Sequence, residues 1–267
     1  STHNTFALTP TLRNPTGAAQ SFQFWITAMA APAGDNRAGS DLRFDIWTPT
    51  MQVYSTDDKS LSPGQVLQWP ITGDGRDLSA YGNWSKFLSL FAYPAAGQPY
   101  MGVYAPRADQ GFVRSFNPLV TRGIKLFGAA DLPNFVWTDD DSSYVEVWGG
   151  LTPNFSESAT LQAGETFSWT ELWYPFHGIG NFVWADSERA LSVTESGEGV
   201  TVGVYTTSAQ SLQVVLFAGG QEVQRWTVTT TSPSEWKATW ARTVSGALGA
   251  QVLDSSGRVV GRYGSAP

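Results

Sequence analysis

Residues 166–177 read TFSWTELWYPFH, and residues 144–150 read YVEVWGG. In an extended strand, residues i, i+2 and i+4 share a face. The first stretch then sets Trp169, Glu171 and Trp173 opposite Thr170, Leu172 and Tyr174. The second sets Tyr144, Glu146 and Trp148 opposite Val145 and Val147. Upstream, SFQFWITA (Ser21 to Ala28) sets Ser21, Gln23, Trp25 and Thr27 opposite Phe22, Phe24, Ile26 and Ala28. Alternation of this kind, broken by Gly, Pro, Asn and Asp, recurs along the chain and predicts an all-β protein of many short strands. The exception is Asp77 to Phe91. There Tyr81, Trp84, Phe87, Leu88 and Phe91 recur at spacings of three and four, which predicts a short helix capped by Asp77 or Ser79.

Composition narrows the chemistry. The chain has 267 residues and no cysteine, so disulfides, thiolate metal sites and cysteine nucleophiles are excluded. Its histidines are His3 and His177, too few for a three-histidine zinc centre. A net charge of −7, with four lysines among 16 cations, argues against nucleic acid and anionic lipid as partners. No apolar run approaches the roughly 18 residues of a spanning helix, so membrane insertion is not expected. No signal peptide is visible in the polar start Ser1 to Thr5, which is consistent with prior processing. Tryptophan is the outlier, at 12 residues. Such an excess needs an aromatic core or an apolar platform for a ligand.

A boundary is expected near residue 188. Residues 189–267 read as about seven short strands, with Gly219-Gly220 and Ser255-Ser256-Gly257 as hairpin turns. That pattern predicts a small immunoglobulin- or fibronectin-like sandwich. Three Trp lie in it (Trp226, Trp236 and Trp240), which leaves nine in residues 1–188. The chemistry is therefore expected in the N-terminal part.

A carboxylate bracketed by aromatic rings suits a saccharide. The C–H patches of a pyranose pack on an aromatic face, and its hydroxyls donate well to a charged acceptor. Glu146 and Glu171 are the candidate catalytic carboxylates. Trp25, Gln23, Tyr144, Trp148, Trp169 and Trp173 are the candidate substrate-binding residues. The bland reading of each strand, one wet face of a half-buried sheet, stands beside this one. His177, between Phe176 and Gly178, is a candidate proton donor or a loop residue bonded to backbone. Asp139-Asp140-Asp141 lacks the spacing of a calcium loop and reads as a solvated turn. No phosphate loop and no GxSxG motif occurs, and neither cofactor nor metal is expected.

Longer motifs carry a family resemblance. LQAGETF (Leu161 to Phe167), followed by Trp169, Glu171, Tyr174 and Phe176, resembles the late strand pair of galactose mutarotase-like proteins. The order of LTPTLRNPT, QWPITGDGRDLSAYGNW, MGVYAP, GIKLFG, YVEVWGG and ELWYPFHGIG, spanning most of residues 6–185, is similar to the bacterial DUF5107 family of that fold. The resemblance implies a supersandwich of two large antiparallel sheets with a sugar groove on its concave face. It also implies Glu171 at the place of the general base and Glu146 as a substrate-contacting carboxylate. The chain departs from the family at FQFWITAMAA (Phe22 to Ala31), which lacks the family's acid histidine. The early strands of the fold also look short, as in a piece of a longer protein.

The expectation is thus a mutarotase-like supersandwich, residues 1–188, followed by a small sandwich, residues 189–267. It binds a mono- or oligosaccharide through Glu and Trp and is exported or held at a bacterial cell surface. Two alternatives stand beside this: a sugar-active enzyme of the epimerase, hydrolase or lyase type with Glu171 as base, and a structural surface module without ligand.

Overall fold

The structure is a computed structural model that describes residues 4–231 and 233–266; His3 lies outside the described residues. It is all-β, as the alternation requires. A six-stranded antiparallel sheet runs in the order Trp25–Ala30, Val145–Gly150, Gly123–Gly128, Leu88–Tyr93, Thr50–Thr56 and Val66–Gln68. A five-stranded sheet runs in the order Phe6–Leu8, Glu171–His177, Gln110–Ser115, Tyr100–Ala105 and Arg43–Ile46. Two short antiparallel pairs between distant segments, Ala159–Leu161 with Gln20–Phe22 and Thr166–Ser168 with Thr11–Arg13, complete this part.

The chain divides into two compact units. One holds residues 7–108 and 114–172, the other residues 1–6, 109–113 and 173–267. In the first, the six-stranded sheet has two unlike faces. Val145, Val147, Ile124, Leu126, Leu88, Leu90, Ala92, Met51 and Val53 share one face and are almost wholly buried. This is the core face, and it explains the β-branched and leucine content of these strands.

The helix expected over Asp77–Phe91 does not form. Tyr81–Asn83 makes a single 3-10 turn, and Leu88–Tyr93 is a central strand paired on both sides. The aromatic spacing serves two separate purposes. Tyr81 and Trp84 pack on Phe44 at ring distances of 6.2 and 5.1 Å, while Phe91 lies on the sheet. Asp77 caps a turn instead, its Oδ1 accepting from Ser79 N at 3.0 Å and Ser79 Oγ at 2.6 Å. A strand flanked by two partners gains ladder hydrogen bonds and burial that outweigh a short helical pattern.

The second unit contains the small sandwich. Its sheets run Trp184–Ala185, Arg189–Ser196, Gly199–Thr206, Ser234–Trp240 and Gln221–Thr230, Gln210–Ala218, Leu248–Leu253, Val259–Gly264. Leu191, Val202, Val204, Val214, Leu216 and Val252 form the core between them. Gly219 and Gly220, at φ 60° and 79°, close the turn that pairs Ala218 with Gln221. Positive φ at both central positions is what a two-residue hairpin requires. The strand Trp184–Ala185 makes eight where seven are expected after residue 189, and it pairs with Leu191 and Ala190.

Candidate functional site

The second face of the six-stranded sheet is aromatic. Register places Trp25, Thr27 and Met29 beside Gly150, Trp148 and Glu146, and these beside Gly123, Lys125 and Phe127. Ser89 and Phe91 follow on the next strand, then Gln52, with Tyr54 at a bulge. Its neighbours leave room for the indole of Trp25. A Cβ on Gly150 would lie 2.2 Å from Trp25 Cδ2, and one on Gly123 would lie 2.4 Å from Trp25 Cη2. The adjacent Gly149 does the same on the core face, where a Cβ would lie 2.4 Å from Arg114 Nη2. The paired glycines of YVEVWGG thus admit one large side chain on each side of the sheet.

Glu146 and Lys125 supply the charge on this face. Trp148 Nε1 donates to Glu146 Oε2 at 2.8 Å. The Lys125 ammonium lies 4.4 Å from the Trp148 ring centroid, 5.5 Å from that of Phe127 and 5.7 Å from that of Phe155. Burial pushes the Lys125 amine down to about 8, against the opposing pull of Glu146. Burial, with Glu146 adding to it, pushes the Tyr144 phenol up. Sequence reasoning missed Lys125. Its signal is a lysine in GIKLFG at the position that alternates with the core residues Ile124 and Leu126, on a strand buried along its length.

Phe155 caps the middle of the face. Its ring meets Trp25 at 4.9 Å, Phe91 at 5.0 Å, Tyr54 at 5.4 Å and Trp148 at 6.1 Å. Gln23 holds the loop that carries it, donating to the carbonyls of Phe155 and Glu157. Thr152 Oγ1 donates to the Asn154 carbonyl at 2.9 Å, and Asn154 Oδ1 accepts from Ser156 N at 2.9 Å. Beside Phe155 an open groove of about 330 Å³ is lined by Gln52, Val53, Tyr54, Gly64, Phe91, Asn154 and Ser156. Trp25 Nε1, Thr27 Oγ1 and Ser89 Oγ are buried on this face without a hydrogen-bond partner among the described residues.

Glu171 is placed otherwise. It is 1% exposed, and its Oε2 lies 2.7 Å from Arg114 Nε and 2.6 Å from Arg114 Nη2. Its Oε1 accepts from Thr121 Oγ1 at 2.7 Å and from Trp169 Nε1 at 3.2 Å. Arg114 Nη1 also donates to the Ile26 carbonyl at 3.2 Å. Burial pulls the guanidinium's pKa down while Glu171 pushes it back up. Since Arg114 presses on Gly149, this pair lies against the core face, on the side away from Glu146. The expected convergence of Glu146 and Glu171 on one cavity is therefore not found.

The remaining candidates divide in the same way. Trp25 and Trp148 lie on the aromatic face, and Tyr144 is at its Glu146 end. Gln23 is a loop anchor, because the strand breaks between Phe22 and Trp25. Trp169 is buried, stacked on Phe167 at 5.3 Å and meeting Phe24 edge-on at 5.6 Å. Trp173 belongs to the other unit and stacks on Phe112 at 5.7 Å. His177, also in that unit, has its ring 5.6 Å from Tyr205 and its Nδ1 3.9 Å from Glu235 Oε2. The acidic run is a tied turn: Arg37 Nη2 donates to Asp141 Oδ2 at 2.7 Å, and Asn134 Nδ2 donates to the Asp141 carbonyl at 3.0 Å. Among the described residues, no cluster of three or more His, Asp or Glu side chains has metal-binding geometry.

Residues 185–263, the small sandwich, match a family described as YphG-like protein, second domain. No curated protein matches the chain significantly. Among solved structures, a TPR-domain-containing protein from Parabacteroides distasonis is similar at a TM-score of 0.51 and 19% identity, over 64% of this chain and 28% of that one. A structure named for a proposed aldose 1-epimerase from Escherichia coli K12 is similar at 0.47 and 8%, over 65% and 57%. Another so named, from Klebsiella pneumoniae, is similar at 0.43 and 15%, over 66% and 44%. The chain thus spans between 28% and 57% of the length of these structures. The likeness to the Parabacteroides distasonis protein is one of fold.

Proposed function

We propose that the chain is a carbohydrate-interacting protein that uses the aromatic face of its six-stranded sheet. The observation that carries this reading is the set Lys125, Glu146 and Trp148 beside the groove at Tyr54 and Phe155. It combines a charged acceptor, a charged donor and indole faces in a partly desolvated place. Sugars need both kinds of group, since stacking supplies affinity and directed polar contacts supply selectivity. The unpartnered polar atoms of Trp25, Thr27 and Ser89 add three places for a hydroxyl or a water to bind. The kinship with DUF5107 read from the motifs belongs to the same proposal.

This reading is one of binding. A sugar-active enzyme would have to draw its carboxylate from Glu146, because both oxygens of Glu171 are held by Arg114, Thr121 and Trp169. The test is a glycan array followed by calorimetry on the hits. Tyr54→Ala and Trp148→Ala should each weaken binding about fivefold or more, since a stacking contact contributes roughly 1 kcal/mol. Full affinity in both variants, or no glycan bound at all, would sink the proposal.

A further inference from the structure

Lys125 is a buried cation that the core does not account for, and a sugar platform would use it only as a hydrogen-bond donor. It is 5% exposed, yet no ion pair or hydrogen bond holds its Nζ among the described residues. Its surroundings are rings: Trp148 and Phe127 on the sheet, and Phe155 above. Strand Leu88–Tyr93 presents Ser89 and Phe91 to it, and strand Val145–Gly150 presents Glu146, the charged group that acts on it. Glu146 Oε2 is itself engaged by Trp148 Nε1 at 2.8 Å. A structural lysine at a sheet surface normally extends its ammonium into water. This one instead ends in an aromatic enclosure.

We infer that Lys125 is a nucleophilic amine that condenses reversibly with an aldehyde brought to the aromatic face. The Nζ lone pair adds to the carbonyl carbon and gives a carbinolamine. The two N–H protons then leave with the carbonyl oxygen as water, and a C=N bond remains. No oxidant or reductant is needed. Desolvation favours the neutral, reactive form of an amine, which is how Schiff-base lysines are activated. With its amine near 8, Lys125 holds about two hundredfold more neutral form at pH 7.5 than an ordinary lysine. Phe155 is the cap that an entering aldehyde displaces. Its loop rests on side-chain-to-backbone bonds from Gln23 and Thr152. The inference rests on the aromatic face being open to a ligand, but it does not require that ligand to be a saccharide.

The test treats the full chain at pH 7.5 with glycolaldehyde and sodium cyanoborohydride, which fixes any imine as a stable amine, and maps the lysines by peptide mass. Lys125 should be labelled at least tenfold faster than Lys59, Lys86 and Lys237. Its rate should level off near pH 8, and the preference should vanish in 6 M urea. Phe155→Ala should label faster still. If that variant does not fold, the wild-type ratio decides alone. Lys125 labelled no faster than the other three lysines, in the wild type and in any folded Phe155→Ala protein, overturns the inference. Glycan binding without such labelling refutes this inference alone, and labelling without glycan binding refutes only the saccharide reading.

Discussion

Arg114 and Glu171 form a wholly buried ion pair, their side chains 0% and 1% exposed, with guanidinium nitrogens 2.7 and 2.6 Å from one carboxylate oxygen. The other carboxylate oxygen is held by Thr121 and Trp169. Every strong group in this cluster answers another, which is the condition for burying charge. Removal of one partner leaves the other charged and unpaired. Glu171→Ala should therefore destabilise the protein by about 3–5 kcal/mol. The double variant Arg114→Met/Glu171→Leu should regain much of that loss. Urea midpoints measure both. A Glu171→Ala protein that unfolds at the wild-type midpoint contradicts this structural role.

The two glycines after Trp148 serve opposite faces. Gly150→Ala forces Trp25 to move, whereas Gly149→Ala forces Arg114 to move. Each change should destabilise by about 1–3 kcal/mol, the usual range for overpacking. The cause is checked by a double-mutant cycle: most of the cost of Gly150→Ala should disappear in a Trp25→Ala background, and the cost of Gly149→Ala should not. Equal costs in both backgrounds would mean that backbone strain, not the indole, sets the penalty.

The depressed amine of Lys125 makes stability depend on pH. Its folded value, about 8, lies below the unfolded value of about 10.4, so the unfolded chain binds more protons between them. Stability attributable to this group should thus rise as pH climbs through that window. The cost of holding the ammonium at pH 7 is on the order of a few kcal/mol. The phenols of the buried Tyr100 and Tyr205 and the half-buried Tyr81, pushed up by desolvation, act in the opposite sense above about pH 10. The difference between wild type and Lys125→Met cancels their effect. That difference should favour the variant at pH 7 and shrink by pH 10; a gap that stays flat with pH rejects the assignment.

Phe155 joins the sheet to its loop through four ring contacts. Phe155→Ala should lower stability by about 1–3 kcal/mol, since ring pairs contribute about 0.5–1.5 kcal/mol each and the side chain is only partly buried. It should also expose Trp25 and Trp148 to solvent. A red shift in tryptophan emission with unchanged far-UV circular dichroism is the expected signature. An unshifted spectrum would show that the loop does not cap these indoles.

Much of the fold can be read from residue order, because strand alternation and glycine-rich hairpins act over a few residues at a time. Val145, Val147 and Leu126 declare a buried face, and Gly219-Gly220 declares a turn, whatever surrounds them. The 3–4 spacing around Trp84 misled, since a local helical pattern has no means of signalling that Leu88–Tyr93 will be flanked by two strands. The site was only half readable. Alternation put Glu146 with Trp148 and Glu171 with Trp169, and each indole donates to its carboxylate. Which of the two carboxylates ends against the core depends on Arg114 and Thr121, more than 40 residues away in sequence, and on the space left by Gly149. Lys125 is the same lesson in reverse. One lysine in a hydrophobic strand looks unremarkable until Trp148, Phe127 and Phe155 enclose it, because burial belongs to the assembled sheet and not to the strand.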